Sequence, residues 1–322
     1  MRLGIAWNHG ISTSLRRDMQ ERAILRPAAS TADQRWMVLI GAVFVLCWAS
    51  GFVVPRVFVP YAEPLTFVAW RNAGAVLVLA GLSLGLGASW PRTAAEVAGL
   101  LWAGACLQGF AVMGLYWAVY WGLPVGIAAL VGGLQPALTA LFAGVLLGEK
   151  LRAWQWLGIG LGFIGLALAV LANIAATKTG FVLILSALFG VAAMAYGSIY
   201  QKRFGDVGDA WSRTTLMFVG AAIPAAAATC LIEQARIDWQ PALLAVYAWS
   251  VLVLAVGATM ALLFLIQKGQ AARAAALLYL VPPTSALMAY FAFAEKISLL
   301  QLAGFAISAG GVALVQGAAE AG

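Results

Sequence analysis

From residue 36 onward, the chain consists of long apolar stretches separated by short polar breaks. A helix needs roughly 20 apolar residues to cross the hydrocarbon core of a bilayer, and the apolar stretches have about this length. Transmembrane helices are therefore predicted at about 36–55, 65–87, 96–118, 122–147, 153–173, 179–200, 211–232, 242–266, 270–293 and 298–317. The pattern predicts an all-α integral membrane protein with about ten transmembrane helices.

The composition supports a membrane protein rather than a soluble one. The chain is 63% hydrophobic and only 10% charged, whereas a soluble domain is about half apolar and about a quarter charged. The net charge of +7 does not indicate nucleic-acid binding, because the basic residues lie between apolar stretches and not on a polar domain. In that position they set the orientation of the helices. We therefore expect the lipid bilayer, and no nucleic acid, as a partner.

Lysine and arginine are distributed unequally between the two sides of the predicted helices. The side that carries the N-terminal tail has 13 of them and the other side has 4. Positive charge accumulates on the cytoplasmic side of a membrane protein, and an even number of helices returns the chain to the side on which it started. Both termini are therefore predicted to be cytoplasmic, in a bacterial inner membrane. Residues 1–35 carry no long apolar stretch, and we expect a mobile or disordered cytoplasmic tail there.

The chain also repeats itself, since residues 129–168 fall on residues 275–314 without a gap at a shift of 146 positions. The informative matches are Pro136 with Pro282, Glu149-Lys150 with Glu295-Lys296, Gln155 with Gln301, Gly158 with Gly304, and Gly165 with Gly311. Each half contains about five predicted helices, and because five is odd the second half enters the membrane from the opposite side. This predicts two inverted-topology repeats, residues 36–173 and 178–317, an arrangement typical of transporters with alternating access.

Several short motifs accompany the repeat. They are Trp48-Ala-Ser-Gly-Phe52, Pro64 followed by Trp70-Arg71, Pro136 with Gly148-Glu149-Lys150, and Pro282 with Ala294-Glu295-Lys296. Together they resemble the EamA branch of the drug/metabolite transporter superfamily, over residues 36–317. The resemblance implies a secondary transporter with both termini in the cytoplasm. It also implies export, or facilitated passage, of amino acids or related small metabolites.

Arg71 is the one basic residue well inside a predicted transmembrane helix. An arginine within the membrane usually faces the protein interior or a water-filled cavity, because exposure to lipid is costly. It is a candidate partner for a substrate carboxylate. The alternatives are a side chain that reaches the membrane interface, or a structural bond to a loop carbonyl.

Three prolines fall near the centres of the fourth and ninth predicted helices: Pro136, Pro282 and Pro283. Proline removes a helix hydrogen bond, and broken helices in transporters often line the substrate site or act as hinges. The alternative is a kink that serves only packing. Gln135 and Ser285 are neighbouring polar side chains that are candidates for ligand binding.

Aromatic residues supply candidate walls for a substrate cavity, namely Trp48, Tyr116, Tyr120, Tyr196 and Tyr279. Tyr116 and Tyr120 are four residues apart, so they share one helix face. Aromatic residues near helix ends also form interfacial belts, which is the alternative for several of them. The small-residue pair Gly158 and Gly162 indicates close helix packing, either inside one chain or in a homodimer. The sequence leaves open whether the protein is a monomer or a homodimer.

The residues that carry most enzyme chemistry are sparse. The single histidine, His9, lies in the tail, and Cys47, Cys106 and Cys230 show no metal-binding spacing. We therefore expect no metal, no cofactor and no enzyme activity; a membrane-embedded enzyme is the alternative from another class. A second transporter hypothesis is efflux of cationic drugs or polyamines. Arg71 and the lack of any Asp or Glu in the middle of a predicted helix count against this efflux. The lack of such a carboxylate also counts against direct proton coupling.

Overall fold

The computed structural model of the chain describes residues 31–148, 151–171, 178–202, 207–261, 277, 280–295 and 297–320. Within these ranges the chain is helical, and the one strand-like feature is an isolated bridge between Ala62 and Ile237. The first half contains α1 (Thr31–Phe58), α2 (Pro64–Gly85), α3 (Ala94–Gly104), the π-helical segment π1 (Ala105–Phe110), α4 (Ala111–Tyr120), α5 (Val125–Gly133), α6 (Gln135–Leu147) and α7 (Ala153–Leu171). The second half contains α8 (Lys178–Gln201), α9 (Ala210–Ile232), α10 (Pro241–Ala248), the π-helical segment π2 (Trp249–Ala258), α11 (Val281–Phe293) and α12 (Leu299–Glu320).

Most of the predicted transmembrane helices are present as long apolar segments. Among the described residues, eight segments are long and apolar enough to cross a membrane, with α3, π1 and α4 acting as one segment and α5 and α6 as another. The predicted helix at 270–293 lies partly outside the described residues, and α11 is its described part. The last helix, α12, is apolar over Leu299–Val315. The predicted all-α membrane fold is confirmed.

The two halves repeat the same backbone geometry at the shift of 146 positions. Leu134 precedes α6 with φ −76° and ψ −6°, and Leu280 precedes α11 with φ −80° and ψ −11°. At the other ends, α6 stops at Gly148 with φ 69° and α11 stops at Ala294 with φ 55°. The segment π1 also falls within π2 at the same shift. The internal repeat is therefore visible in the backbone as well as in the sequence.

Helices α7 and α12 pack against each other through glycines that correspond to one another in the two repeats. The shift of 146 positions places Gly158 on Gly304 and Gly165 on Gly311. A Cβ atom added to Gly158 would overlap the carbonyl oxygen of Gly311, and one added to Gly165 would overlap that of Gly304. Small residues let two helices approach closely in a membrane. These glycines therefore pack the fifth predicted helix against the tenth within one chain.

Helices α2 and α9 form a second contact between the halves. The side-chain amide of Asn72 donates to the carbonyl oxygen of Ala221 over 3.3 Å. Nearer the other end of α2, the hydroxyl groups of Ser83 and Thr215 lie 3.1 Å apart. Both contacts are buried. They fix α2 against α9 along most of their length.

Two glutamates join the loops next to α2 and α9 at one membrane end. The carboxylate of Glu233 accepts from the backbone nitrogens of Leu65 and Thr66, at 2.9 and 2.8 Å. The carboxylate of Glu63 accepts from the backbone nitrogen of Arg236 at 2.8 Å. Because each carboxylate binds the other half, the two repeats are tied together at this end, at the first turn of α2 and in the loop that follows α9.

Candidate substrate site

A cavity of about 450 Å³ lies where the broken helices of the two repeats meet. A Cβ atom added to Gly133, at the end of α5, would lie 3.3 Å from Cγ of Pro282, at the start of α11. The lining is mostly apolar, with a few polar groups. Among the residues that line it are Trp48, Phe52, Gln135, Pro136, Pro282 and Ser308.

The prolines account for the broken helices. Pro136 lies in the first turn of α6, and Pro282 and Pro283 lie in the first turn of α11. Proline has no amide hydrogen and is therefore favoured in the first turn of a helix, although α9 continues through Pro224. At Pro136 and Pro282 the chain starts a new helix, and all three prolines line the cavity. Their action as hinges stays a prediction.

Gln135 provides the clearest polar group in the cavity wall. Its Nε2 atom donates to the hydroxyl oxygen of Ser198 over 3.2 Å, and that hydroxyl donates to the carbonyl of Met194 over 2.9 Å. This chain of bonds anchors the amide nitrogen on α8. Among the described residues, no partner binds the amide oxygen of Gln135, so this oxygen is free to accept from a ligand.

Trp48 and Phe52 form the aromatic wall on α1. Trp48 packs on Phe44 with ring centroids 5.5 Å apart, and it lines the cavity. Phe52 lies directly over the end of α5, where a Cβ atom on Gly132 would come within 2.7 Å of its ring. Glycine at this position therefore lets an aromatic ring close one side of the cavity.

Among the described residues, further predicted site residues are absent from the lining of this cavity: Ser285, Tyr116, Tyr120 and Tyr196. The Ser285 hydroxyl is fully buried and donates to the carbonyl of Ala49 over 3.1 Å, so it fastens α11 to α1. Tyr116 and Tyr120 pack on Phe58, with ring centroids 5.9 and 6.5 Å apart. The remaining two are Tyr196, which stacks on Tyr200 at 6.0 Å, and Tyr279, which lies outside the described residues.

Arg71 is buried in the protein, with only 5% of its surface exposed. Its Nη1 atom donates to Oδ1 of Asn72 over 3.0 Å, and its guanidinium carbon lies 5.8 Å from the ring centroid of Phe218. Its Nε atom is buried and has no hydrogen-bond partner within the described part of the chain. Arg71 does not line the cavity between the broken helices in this conformation.

Comparison with known proteins assigns the family. The EamA-like transporter family matches residues 35–171 and, separately, residues 181–316. The chain belongs to the EamA-like transporter family. It is therefore a multi-pass membrane transporter of the EamA type, built from two copies of one unit.

Two relatives of this EamA transporter are themselves uncharacterized. The transporter YvbV of Bacillus subtilis is 25% identical over 285 residues, which cover 86% of this chain and 90% of YvbV. The inner membrane transporter YedA of Escherichia coli K12 is 33% identical over 172 residues, or 51% of this chain and 53% of YedA. One crystal structure resembles the fold with a TM-score of 0.60 at 20% identity, covering 88% of this chain and 98% of the other.

The cavity of this EamA transporter also uses residues that sequence reasoning did not select. Ser308, Phe305 and Ala309 line it from α12, and Met194 lines it from α8. The internal repeat could have indicated Ser308. At the shift of 146 positions Ser308 corresponds to Gly162, and α7 and α12 pack against each other through small residues of this kind. Among the described residues, no three His, Cys, Asp or Glu side chains are placed to hold a metal ion.

Proposed function

We propose that this EamA transporter is a secondary transporter that exports, or facilitates the passage of, amino acids or related small apolar metabolites by alternating access. The observation that carries the proposal is the cavity of about 450 Å³ at the point where the broken helices of two inverted repeats meet. Transporters built from inverted repeats bind their substrates at such breaks and open the site to each side in turn.

The chemistry of the cavity wall supports a small substrate with an apolar body. Most of the wall is apolar, while Gln135, the indole of Trp48 and the hydroxyl of Ser308 supply isolated polar groups. Binding sites of this kind use apolar walls for affinity and a few placed polar groups for orientation. Among the described residues, no carboxylate lines this cavity. The wall therefore favours an amino acid with an apolar side chain over a cationic drug or a polyamine.

The two glycine-lined contacts between halves support a rocking movement. Close packing at Gly158 with Gly311, and at Gly165 with Gly304, holds α7 against α12, while other residues of α12 line the cavity. Pro136 and Pro282, at the helix breaks, also line the cavity. We assign the contact between α7 and α12 as the pivot of this movement. We assign the helix breaks as the segments that change shape.

The proposal includes location and orientation. The name of YedA places that relative in the inner membrane, and the excess of basic residues on the tail side favours cytoplasmic termini for this chain. With that orientation, the loops that contain Glu63, Glu233 and Glu295 face the periplasm.

Uptake of pooled radiolabelled amino acids by proteoliposomes tests the function. In the test variant, Ala309→Trp fills the cavity from α12; in the control, Ala303→Trp changes an exposed alanine of the same helix that does not line the cavity. We expect Ala309→Trp to reduce uptake at least about tenfold, because a filled site excludes the substrate. Ala303→Trp should transport like the parent. Equal uptake by both variants would contradict the assignment of the cavity.

A further inference from the structure

A second pocket of about 260 Å³ lies at the membrane end where the loop after α11 meets the starts of α5 and α12. Two opposite charges line it, Arg56 at the end of α1 and Glu295 after α11, together with the amide group of Gln301. The remaining wall is apolar or glycine. An opposite pair of charges inside a small pocket is unusual for a protein with few charges, and neither group belongs to the central cavity.

Glu295 is held in place by α5. Its Oε2 atom accepts from the backbone nitrogen of Val125, the first residue of α5, over 3.1 Å. Burial raises the pKa of the Glu295 carboxyl, while this hydrogen bond and the charge of Arg56 act in the opposite direction. The backbone bond leaves the second oxygen, Oε1, directed at Arg56.

The ion pair between Arg56 and Glu295 is loose. The Nε atom of Arg56 lies 3.9 Å from Oε1 of Glu295, which is too long for a hydrogen bond. The side chain of Arg56 is 40% exposed, and that of Glu295 is 19% exposed. Among the described residues, none accepts a hydrogen bond from the guanidinium of Arg56. Both charges can therefore take a further partner without giving up a strong bond.

Phe305 separates this pocket from the central cavity, because its side chain lines both. A Cβ atom on Gly126 would lie 3.0 Å from Cβ of Ala286 and 3.3 Å from Cζ of Phe305. Phe305 is thus the residue shared by the two pockets, and Gly126 and Ala286 pack against it on the side of the charged pocket.

We propose that this pocket is a second substrate position and that it takes a zwitterionic α-amino acid. Arg56 binds the carboxylate, Oε1 of Glu295 accepts from the ammonium group, and Gln301 adds a hydrogen bond. An anion or a cation alone would satisfy one protein charge and leave the other without a partner, whereas a zwitterion satisfies both. This assignment rests on the proposed function, since it names the substrate class and a stage on its path.

The test compares three probes of one shape: leucine, isoamylamine, which lacks the carboxylate, and isocaproate, which lacks the amino group. Uptake is measured for the parent, Arg56→Gln and Glu295→Gln. We expect each variant to raise the KM for leucine about tenfold, since a charge-assisted bond is lost. Uptake of isoamylamine should change little in Arg56→Gln, and uptake of isocaproate should change little in Glu295→Gln.

Arg236→Gln is the charge-matched control, because Arg236 lies in a loop at the same membrane end and does not line the pocket. A purely structural ion pair would reduce uptake of all three probes alike, and that outcome would overturn the proposal. So would an unchanged KM for leucine. If either glutamine variant fails to accumulate, Arg56→Lys and Glu295→Asp keep the charge but move it, and the same split between probes is expected.

The outcomes separate this proposal from the transport function itself. Loss of uptake in Ala309→Trp together with an unchanged KM in Arg56→Gln and Glu295→Gln would support the central cavity and overturn the second position. If the parent takes up none of the pooled amino acids, the proposed function fails first, before either charge variant is measured.

Discussion

At the scale of single residues, Arg71 is the group whose surroundings say most about its task. It is buried, and among the described residues its Nε atom has no hydrogen-bond partner, while its Nη1 atom donates to Oδ1 of the neighbouring Asn72. A buried arginine with an unused donor can bind a carboxylate, and it can form two parallel bonds to that carboxylate, which lysine cannot. We propose that Arg71 binds the substrate carboxylate in another conformation of the transport cycle.

We expect Arg71→Lys to keep expression and monodispersity but to lower uptake of a carboxylate-bearing substrate. Arg71→Gln should lower it further, to about a tenth or less, since a hydrogen bond to a charged group contributes about 1.5–3 kcal/mol. Uptake by proteoliposomes and gel filtration measure the two properties. Parental uptake by both variants would show that Arg71 has no part in transport. Failure of both to accumulate would make its role structural.

Which aromatic residues line the cavity could be predicted only in part from the sequence. Trp48 lines the cavity, and on α4 the residue in the wall is Leu115, whereas Tyr116 packs on Phe58. The parts that Trp48 and Tyr116 take in substrate binding stay predictions. The segment π1 lies just before α4, and its wider turns change which face the following residues present. One residue corresponds to a rotation of about 100°, which is enough to exchange Tyr116 for Leu115.

At the scale of elements, the helix breaks were the most predictable feature. Pro136 and Pro282 lie near the centres of apolar stretches and mark the breaks to within a few residues, whereas Pro224 lies inside the continuous helix α9, so the repeat of the proline at the shift of 146 positions is the better signal. The partners of Gln135 and Ser285 could not be predicted, because they depend on how α8 and α1 pack against the breaks. The charged pocket was missed for the same reason: Arg56 and Glu295 are far apart in sequence and lie at different helix ends.

The contact between α7 and α12 makes a prediction about stability. Gly158→Ala should lower the free energy of unfolding by about 1–3 kcal/mol, because its Cβ atom would overlap a backbone carbonyl of α12. Gly160→Ala is the matched control, since a Cβ atom there meets open space on the same helix. Thermal unfolding in detergent compares the two. Equal melting temperatures would show that this contact is looser than described.

At the scale of the whole molecule, the repeat and the charge bias together predict the orientation. The repeat is present in both the sequence and the backbone, whereas the orientation rests on the count of 13 basic residues on one side against 4 on the other. A reporter fused to the C-terminus should be active in the cytoplasm, and one inserted after Gln234 should be active in the periplasm. The reverse pattern would invert the assignment of the two membrane ends and make the Glu295 pocket cytoplasmic.

The central claim is that one cavity between two inverted repeats opens to each side of the membrane in turn. Reaction of a single cysteine with membrane-impermeant thiol reagents tests it directly, in an Ala309→Cys variant in which Cys47, Cys106 and Cys230 have been replaced by alanine. We expect the cysteine to react with reagent added from either side of the membrane in separate experiments. We also expect a transported amino acid to slow both reactions. Reaction from one side only, or from both sides without protection by any substrate, would contradict it.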